Sequence, residues 1–368
     1  MKKILMTAKH LDAGGVETFI TGIYPYIDKD EFQIDFVISM KDIHNDSKGY
    51  FEDDLVNQGA KVYRIAPKSK YLIRCFTDWN RLLKEHTEYE IVHINDGGGA
   101  AFPLAIAKKY GKKCIVHAHN SSSTLEKQNI IMKLFRKFVV KNAVLIACAK
   151  DAGKWMFGSK ANVNVLHYGI DTEKFKFDVL NRNDIRKMYG IESDVPVIGH
   201  VGRFNIQKNH SFLIDIFYKI CEKVPNAKLL LIGSGELEDK IKSKVITLGL
   251  EQNVIFVGNT KEVYKYLSAM DLYLFPSLFE GFGIAHIEAQ CNGLPVILSN
   301  TLTSECLITD RAKMIDLKAD SETWARCVLE NLMNNDVKLR NQYCQEVCKK
   351  GFDRRTTASN LEKIYREI

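Results

Sequence analysis

Two glutamates eight residues apart mark the stretch richest in reactive groups, Pro276-Ser277-Leu278-Phe279-Glu280-Gly281-Phe282-Gly283-Ile284-Ala285-His286-Ile287-Glu288. The apolar run 272–275 before it reads as a buried strand, and a helix is expected to begin near Gly283. Glu280 then lies on a loop and Glu288 in the second helical turn, where both can face one cleft. Carboxylates accept hydrogen bonds from hydroxyls, and a helix N-terminus takes an anion, so the pair with Gly283-Ile284 between them suits a sugar phosphate. A Glu280 that caps the helix and a Glu288 that is merely exposed would use the same residues. That alternative stays open on sequence alone.

Three further loops follow apolar runs. Asp12-Ala13-Gly14-Gly15-Val16-Glu17 opens a helix with paired glycines, which let backbone N–H groups approach a phosphate, though a plain tight turn needs the same residues. Gly202-Arg203-Phe204-Asn205-Ile206-Gln207-Lys208 places two cations where they can clamp a diphosphate and neutralise a leaving group, unless both are simply solvated. Gly233-Ser234-Gly235-Glu236 lacks the third glycine of a dinucleotide fingerprint, so it argues weakly for NAD and equally for a base or ribose lying against the backbone.

The elements that must position these loops are strands alternating with amphipathic helices, the pattern of parallel sheets covered on both faces. Strands are expected at 3–7, 33–39, 61–65, 91–94, 113–118 and 143–147, then at 195–201, 227–232, 253–257, 272–275 and 295–298. Helices are expected at 100–110, 210–223 and 236–248. The fold class is α/β, with two Rossmann-like domains, the first over 1–178 and the second over 179–350. Residues 178–184 read as a polar, broken join, and 172–190 as the bridge. Open sheets bind ligands at the carboxyl ends of their strands, so the site is expected in a cleft between the two domains.

Composition agrees with two soluble cores. The chain has 368 residues, 46% hydrophobic and 26% charged, far from the signature of disorder. The first 180 residues carry 27 Lys and Arg against 21 Asp and Glu, and the remainder 25 against 24, so the basic excess lies in the first half. That asymmetry fits an anionic partner or a merely solvated surface. Nine cysteines without a CxxC read as reduced and packed, in a cytoplasmic protein. No apolar run reaches a membrane span, so any membrane contact is expected to be peripheral.

The ordered set of motifs resembles the family-four retaining glycosyltransferases, nucleotide-sugar enzymes of the GT-B fold. It comprises Gly14-Gly15-Val16-Glu17, Ile91-Val92-His93, His117-Ala118-His119-Asn120, Gly169-Ile170-Asp171, Gly202-Arg203 with Lys208, Gly233-Ser234-Gly235, and Glu280 with Glu288. The start and the paired histidines are most similar to the subgroup that builds bacterial capsule and exopolysaccharide. The resemblance implies transfer of a sugar from a nucleotide diphosphate, here expected to be UDP, to a hydroxyl of a glycan or polyprenyl-linked acceptor. It also implies roles. Arg203 and Lys208 would hold the donor diphosphate, and the Gly14-Gly15 loop would close over it. Glu288 would bind the ribose and Glu280 the sugar. Gly283 and Ile284 would meet the sugar and phosphate edge, Gly235 and Glu236 would line the nucleotide site, and His119 would lie by the reacting centre. His117 and His93 read as structural. The tail 351–368 resembles the family's last helix, which crosses back to the first domain.

One departure is His167 before Tyr168 and Gly169, where the family usually has Asn, which leaves no polar role to carry over. The one Asp-x-Asp, Asp28-Lys29-Asp30, resembles no metal site, and neither metal nor cofactor is expected, since the cations would do the work of magnesium. The stretch 127–141 sets Lys133, Arg136, Lys137 and Lys141 among bulky apolar residues, as an interfacial helix or a half-buried domain helix would. The first alternative places the protein at the inner face of the cell membrane. A nucleotide-sugar epimerase of the same fold and a non-catalytic sugar-nucleotide sensor remain the competing classes, while nucleic-acid binding lacks any accompanying motif.

Overall fold

The structure is a computed structural model that describes all residues except 13, 45, 96–98, 120–129 and 334–336, and only the backbone of 130–133 and 333. The chain forms two compact units. Residues 1–169 and 354–368 make the first, and residues 170–353 the second.

The first unit holds a seven-stranded sheet. Its strands are β1 (Lys2–Ala8), β2 (Phe32–Ser39), β3 (Val62–Ile65), β4 (Ile91–Ile94), β5 (Lys113–Ala118), β6 (Val144–Ala147) and β7 (Asn164–Val165). All pair in parallel, in the order β3-β2-β1-β4-β5-β6-β7. The second unit holds β8 (Val197–Val201), β9 (Lys228–Ile232), β10 (Val254–Gly258), β11 (Leu272–Phe275), β12 (Val296–Ser299) and β13 (Ala312–Ile315), parallel in the order β10-β9-β8-β11-β12-β13. Both orders reverse direction beside the first strand of the unit, between β1 and β4 and between β8 and β11. Such a switch point leaves a crevice at the carboxyl edge.

The strands read as continuous Val, Ile and Leu runs because helices cover both faces of a parallel sheet. In the second unit Ile198, Leu229, Leu231, Leu272, Leu274 and Ile297 pack against Leu213, Ile216 and Phe217 of the helix His210–Cys221, with Trp324 and Val328 of the helix Ser321–Met333 in the same core. Each such side chain contributes roughly 1.5–3 kcal/mol on burial.

All eleven expected strands are present. β7 and β13 are additions, the first only two residues long and the second split by the charge of Lys313. The join differs from expectation. Residues 170–178 belong to the second unit, and the polar stretch expected to be broken is the helix Val179–Met188. The Asp178 carboxylate caps it, accepting from Leu180 N at 2.7 Å and Asn181 N at 3.3 Å. Arg182 and Arg186 then anchor the helix to the second unit through the two oxygens of Asp271, at 2.7 and 2.6 Å. Its polar sequence reflects ion pairing rather than a linker.

The helix Arg354–Glu367 packs within the first unit. Its Glu362 accepts from Asp28 N at 2.8 Å, and Lys2 Nζ donates to Tyr365 O at 2.8 Å.

Candidate active site

In the second unit two loops at adjoining strand ends are fastened together. After β8 comes the loop 202–209, and after β11 the glutamate loop 276–283. Leu278 N donates to Gln207 O at 2.8 Å, and Asn209 Nδ2 donates to Pro276 O at 3.1 Å. Lys208 Nζ donates to Glu280 Oε1 at 2.6 Å while lying 4.6 Å over the Phe275 ring. Gln207 Nε2 donates to Glu280 Oε2 at 3.0 Å. Glu280 is 6% exposed, and a buried carboxylate persists only with such partners.

The helix Ile284–Cys291 starts from Gly283, whose φ of +87° is a conformation side chains rarely adopt. Gly283, the N-cap, has no side chain to cap it. Glu288 is buried, which removes the plain alternative for that residue. Burial pushes the Tyr273 hydroxyl to a higher pKa, and the charges of Glu288 and Glu280 add to that rise, so both carboxylates come within electrostatic reach of one phenol. Tyr273 itself bridges to β8 by donating to Val201 O and accepting from Val201 N.

Behind the helix, Gln290 Oε1 accepts from Ile308 N and Thr309 N, which fixes its amide so that Nε2 donates to His286 Nδ1 at 3.0 Å. His286 therefore carries its proton on Nε2 and donates it to Phe282 O at 2.7 Å. Burial lowers its pKa to about 4 and keeps it neutral.

Arg203 and Glu236 meet each other instead of a neighbour in the core. Their ion pair spans 3.1 Å, with both side chains largely exposed. Each of the two expected phosphate cations is thus paired with a carboxylate. Gly235 serves a close approach inside the protein, since a Cβ there would lie 2.6 Å from Phe204 O.

In the first unit Gly14 is the N-cap of the helix Gly15–Ile23 and has extended backbone that any residue can adopt. A Cβ on Gly15 would have no atom within 4 Å, whereas one on Gly14 would lie 2.5 Å from Glu17 Oε2, so the Glu17 carboxylate occupies that helix end. His119 follows β5. The Asn95 amide is oriented by Nδ2 donating to Thr7 O at 2.9 Å, which leaves Oδ1 to accept from His119 Nε2 at 2.8 Å. Nδ1 of His119 must then accept from the Tyr168 hydroxyl at 2.7 Å. Burial lowers the His119 pKa to about 3, so the imidazole is neutral with its proton on Nε2.

His93 and His117 lie deeper, joined through Nε2 and Nδ1 at 3.3 Å, and His93 Nδ1 pairs with the Tyr365 hydroxyl at 2.7 Å. Asn120 lies outside the described residues. His167 donates from Nδ1 to Cys148 O at 3.1 Å.

Sequence reasoning missed Gln207, Tyr273, Asn95 and Tyr168. The one available signal was adjacency to Lys208 for Gln207 and to β4 for Asn95.

The helix Ile130–Asn142 covers the described part of 127–141. It exposes Leu134, Phe135 and Phe138, while Arg136 is tied inward to Trp155 O and Met156 O. Among the described residues, no helix is long and apolar enough to cross a membrane, and no group of three or more His, Cys, Asp or Glu is placed to hold a metal.

Comparison with known proteins matches residues 13–174 to the family described as Glycosyltransferase Family 4 and residues 181–347 to that described as Glycosyl transferases group 1. A Bacillus subtilis (strain 168) chain carrying the name glycosyltransferase EpsF is 27% identical over 99% of this chain and 96% of its own. The Escherichia coli UDP-Gal:alpha-D-GlcNAc-diphosphoundecaprenol alpha-1,3-galactosyltransferase is 25% identical over 77% of each chain. The crystal structure of Anabaena HepE in complex with UDP has the same fold, with a TM-score of 0.82 at 18% identity and full coverage of both chains. Each half of the chain thus answers to a glycosyltransferase description, in the order in which its two sheets follow one another, and the protein belongs to the family-four glycosyltransferases of the GT-B fold.

Proposed function

We propose that the protein transfers a sugar from a UDP-linked donor to a hydroxyl of a glycan or polyprenyl-linked acceptor in capsule or exopolysaccharide synthesis, with retention at the anomeric carbon. The observation that carries this reading is the pairing of Glu280 with Lys208 on the loop that leads into the helix Ile284–Cys291, whose second turn carries the buried Glu288. Arg203 and Lys208 hold the diphosphate, and Gly283 with Ile284 offers backbone N–H groups to the same charge. Glu288 accepts from the ribose hydroxyls and Glu280 from those of the sugar, with Gly235 and Glu236 along the nucleotide. The His119 imidazole, held neutral, serves as a hydrogen-bonding group rather than as an acid.

The bond from the anomeric carbon to the diphosphate breaks, the acceptor oxygen bonds to the same face, and a donor phosphate oxygen takes the acceptor proton. No metal takes part, since the two cations balance the charge of the departing diphosphate. Support for the UDP-linked donor comes from the names of the E. coli galactosyltransferase and of the HepE complex, and support for a lipid-linked acceptor from the former. The exposed apolar residues of Ile130–Asn142 and its lysines favour peripheral contact with the inner face of the cell membrane.

The first test is thermal stability with UDP, GDP, ADP and NAD, each with and without EDTA. A ligand at a hundred times its Kd adds about 2.7 kcal/mol, worth about 5–11 °C for a unit of this size. A shift with UDP that survives EDTA agrees with the reading. A shift with NAD alone, or one abolished by EDTA, contradicts it. Formation of a glycosyl-enzyme ester would overturn the same-face mechanism.

A further inference from the structure

Glu280 and Lys208 carry conflicting demands under the donor-site reading. In the free protein they neutralise one another at 2.6 Å, with the carboxylate almost fully buried. A diphosphate at the site presents a stronger anion to the lysine. The ammonium is a point charge on a flexible stem, so it can turn toward the phosphate. Glu280 then loses its cation while it must stay ionised and oriented to accept from sugar hydroxyls. Something other than Lys208 has to hold it.

A neutral donor to that carboxylate is the side chain next to the lysine. Gln207 Nε2 binds Oε2, the oxygen opposite the one Lys208 binds, at 3.0 Å. Its own backbone is fixed to the glutamate loop, because Gln207 O accepts from Leu278 N at 2.8 Å. Asn209, two residues on, donates to Pro276 O at 3.1 Å and holds the loop from the other side. The amide is therefore anchored to the segment it steadies, and a neutral donor has no reason to leave for a phosphate.

We propose that Gln207 is a positioning residue, which keeps the Glu280 carboxylate aimed at the donor sugar while Lys208 is drawn to the diphosphate. The proposal rests on the assignment of Glu280 to the sugar and adds a residue that sets preference for a sugar nucleotide over the bare nucleotide. Lys208 from the β8 loop pairs with Glu280, and the charges of Glu280 and Glu288 both raise the pKa of the Tyr273 hydroxyl on β11. His286, on the helix Ile284–Cys291, is neutral and occupied by Phe282 and Gln290. Gln207 acts on this group without adding a charge.

The test uses the full chain as wild type, Gln207→Leu and Gln207→Glu. Calorimetric titration with UDP is compared with UDP-glucose, UDP-galactose and UDP-N-acetylglucosamine, and UDP release from the sugar nucleotide that binds is followed from pH 5 to 9. In Gln207→Leu, UDP affinity stays within about twofold while the added affinity for the sugar nucleotide falls about tenfold to a hundredfold, as for a lost hydrogen bond to a charged group. In Gln207→Glu a like charge replaces the amide donor beside Glu280, so the added affinity for the sugar nucleotide falls at least as far while UDP affinity again changes little.

An unchanged sugar preference in both variants overturns the proposal. Equal weakening of UDP and UDP-sugar at every pH also overturns it, because that is the mark of simple loop scaffolding. A wild-type protein that binds none of the sugar nucleotides overturns the donor-site reading and this inference with it, whereas the other two failures leave that reading standing.

Discussion

Replacing Lys208 with Met tests whether the Lys208–Glu280 pair is held as a buried unit. Their side chains are 16% and 7% exposed, at 2.6 Å. Removing one partner of a buried pair costs about 3–5 kcal/mol because the other charge is left without compensation. The residual exposure of the lysine sets the expectation near 3. For a unit of this size 1 kcal/mol corresponds to about 2–4 °C, so the melting point of the second unit should fall by about 6–12 °C. Glu280→Gln should cost less, about 1–2 kcal/mol, because the freed ammonium can reach water beside the Phe275 ring.

The double variant should lie near Glu280→Gln rather than at the sum of both losses, a coupling of about 3 kcal/mol. A pH series gives the sign. The deficit of Lys208→Met is that of an unpaired buried charge, so acid that neutralises the charge relieves it. Calorimetric melts of the four proteins from pH 4.5 to 8 provide the measurement. Additive losses, or a single-variant melting point within a degree of wild type, would refute the reasoning.

Acid should unfold the first unit early. His93 and His119 are held to a pKa of about 3 against 6.5 in the unfolded chain, so their stability is full above pH 6.5 and falls as pH drops toward 3. At pH 5 each costs about 2 kcal/mol, and a stability flat from pH 7.5 to 5 would contradict this. Tyr168→Phe should leave His119 Nδ1 without its donor and cost about 1–3 kcal/mol, read from urea unfolding, with no loss if the hydroxyl is idle. Glu280→Ala and Lys208→Ala should each cut UDP-sugar turnover at least a hundredfold, measured as UDP release, and unchanged rates would remove both from the site. Reversing Lys137 and Lys141 to Glu should weaken flotation with anionic vesicles roughly tenfold or more, and binding indifferent to lipid charge would exclude an electrostatic contact.

The eleven expected strands were legible because a parallel sheet buries both faces, and burial leaves an apolar run that needs no partner to be recognised. β7 was not, since it is only two residues long and one of them is Asn164, and the helix Val179–Met188 was hidden because its arginines answer Asp271, 89 and 85 residues away. Glu280, Glu288 and Lys208 stood out by type and spacing. Gln207 did not, because an amide gains its meaning from the carboxylate that the fold places 3.0 Å away. Asn95 and Tyr168 share that limitation, as each acts only through the two ring nitrogens of His119.

The discontinuity of the first unit bears on how the protein is made. Tyr365 completes the His93 hydrogen bond and Glu362 closes the turn at Asp28, so the core of that unit needs residues translated after the whole of 170–353. At about 5–20 residues per second the ribosome imposes a wait on the order of ten seconds or more. During it residues 1–169 expose an unfinished surface while the second unit, continuous in sequence, is free to close first. A nascent chain arrested just short of residue 354 would thus show protease resistance only in its later half, and loss of the helix Arg354–Glu367 would strike the unit synthesised earliest.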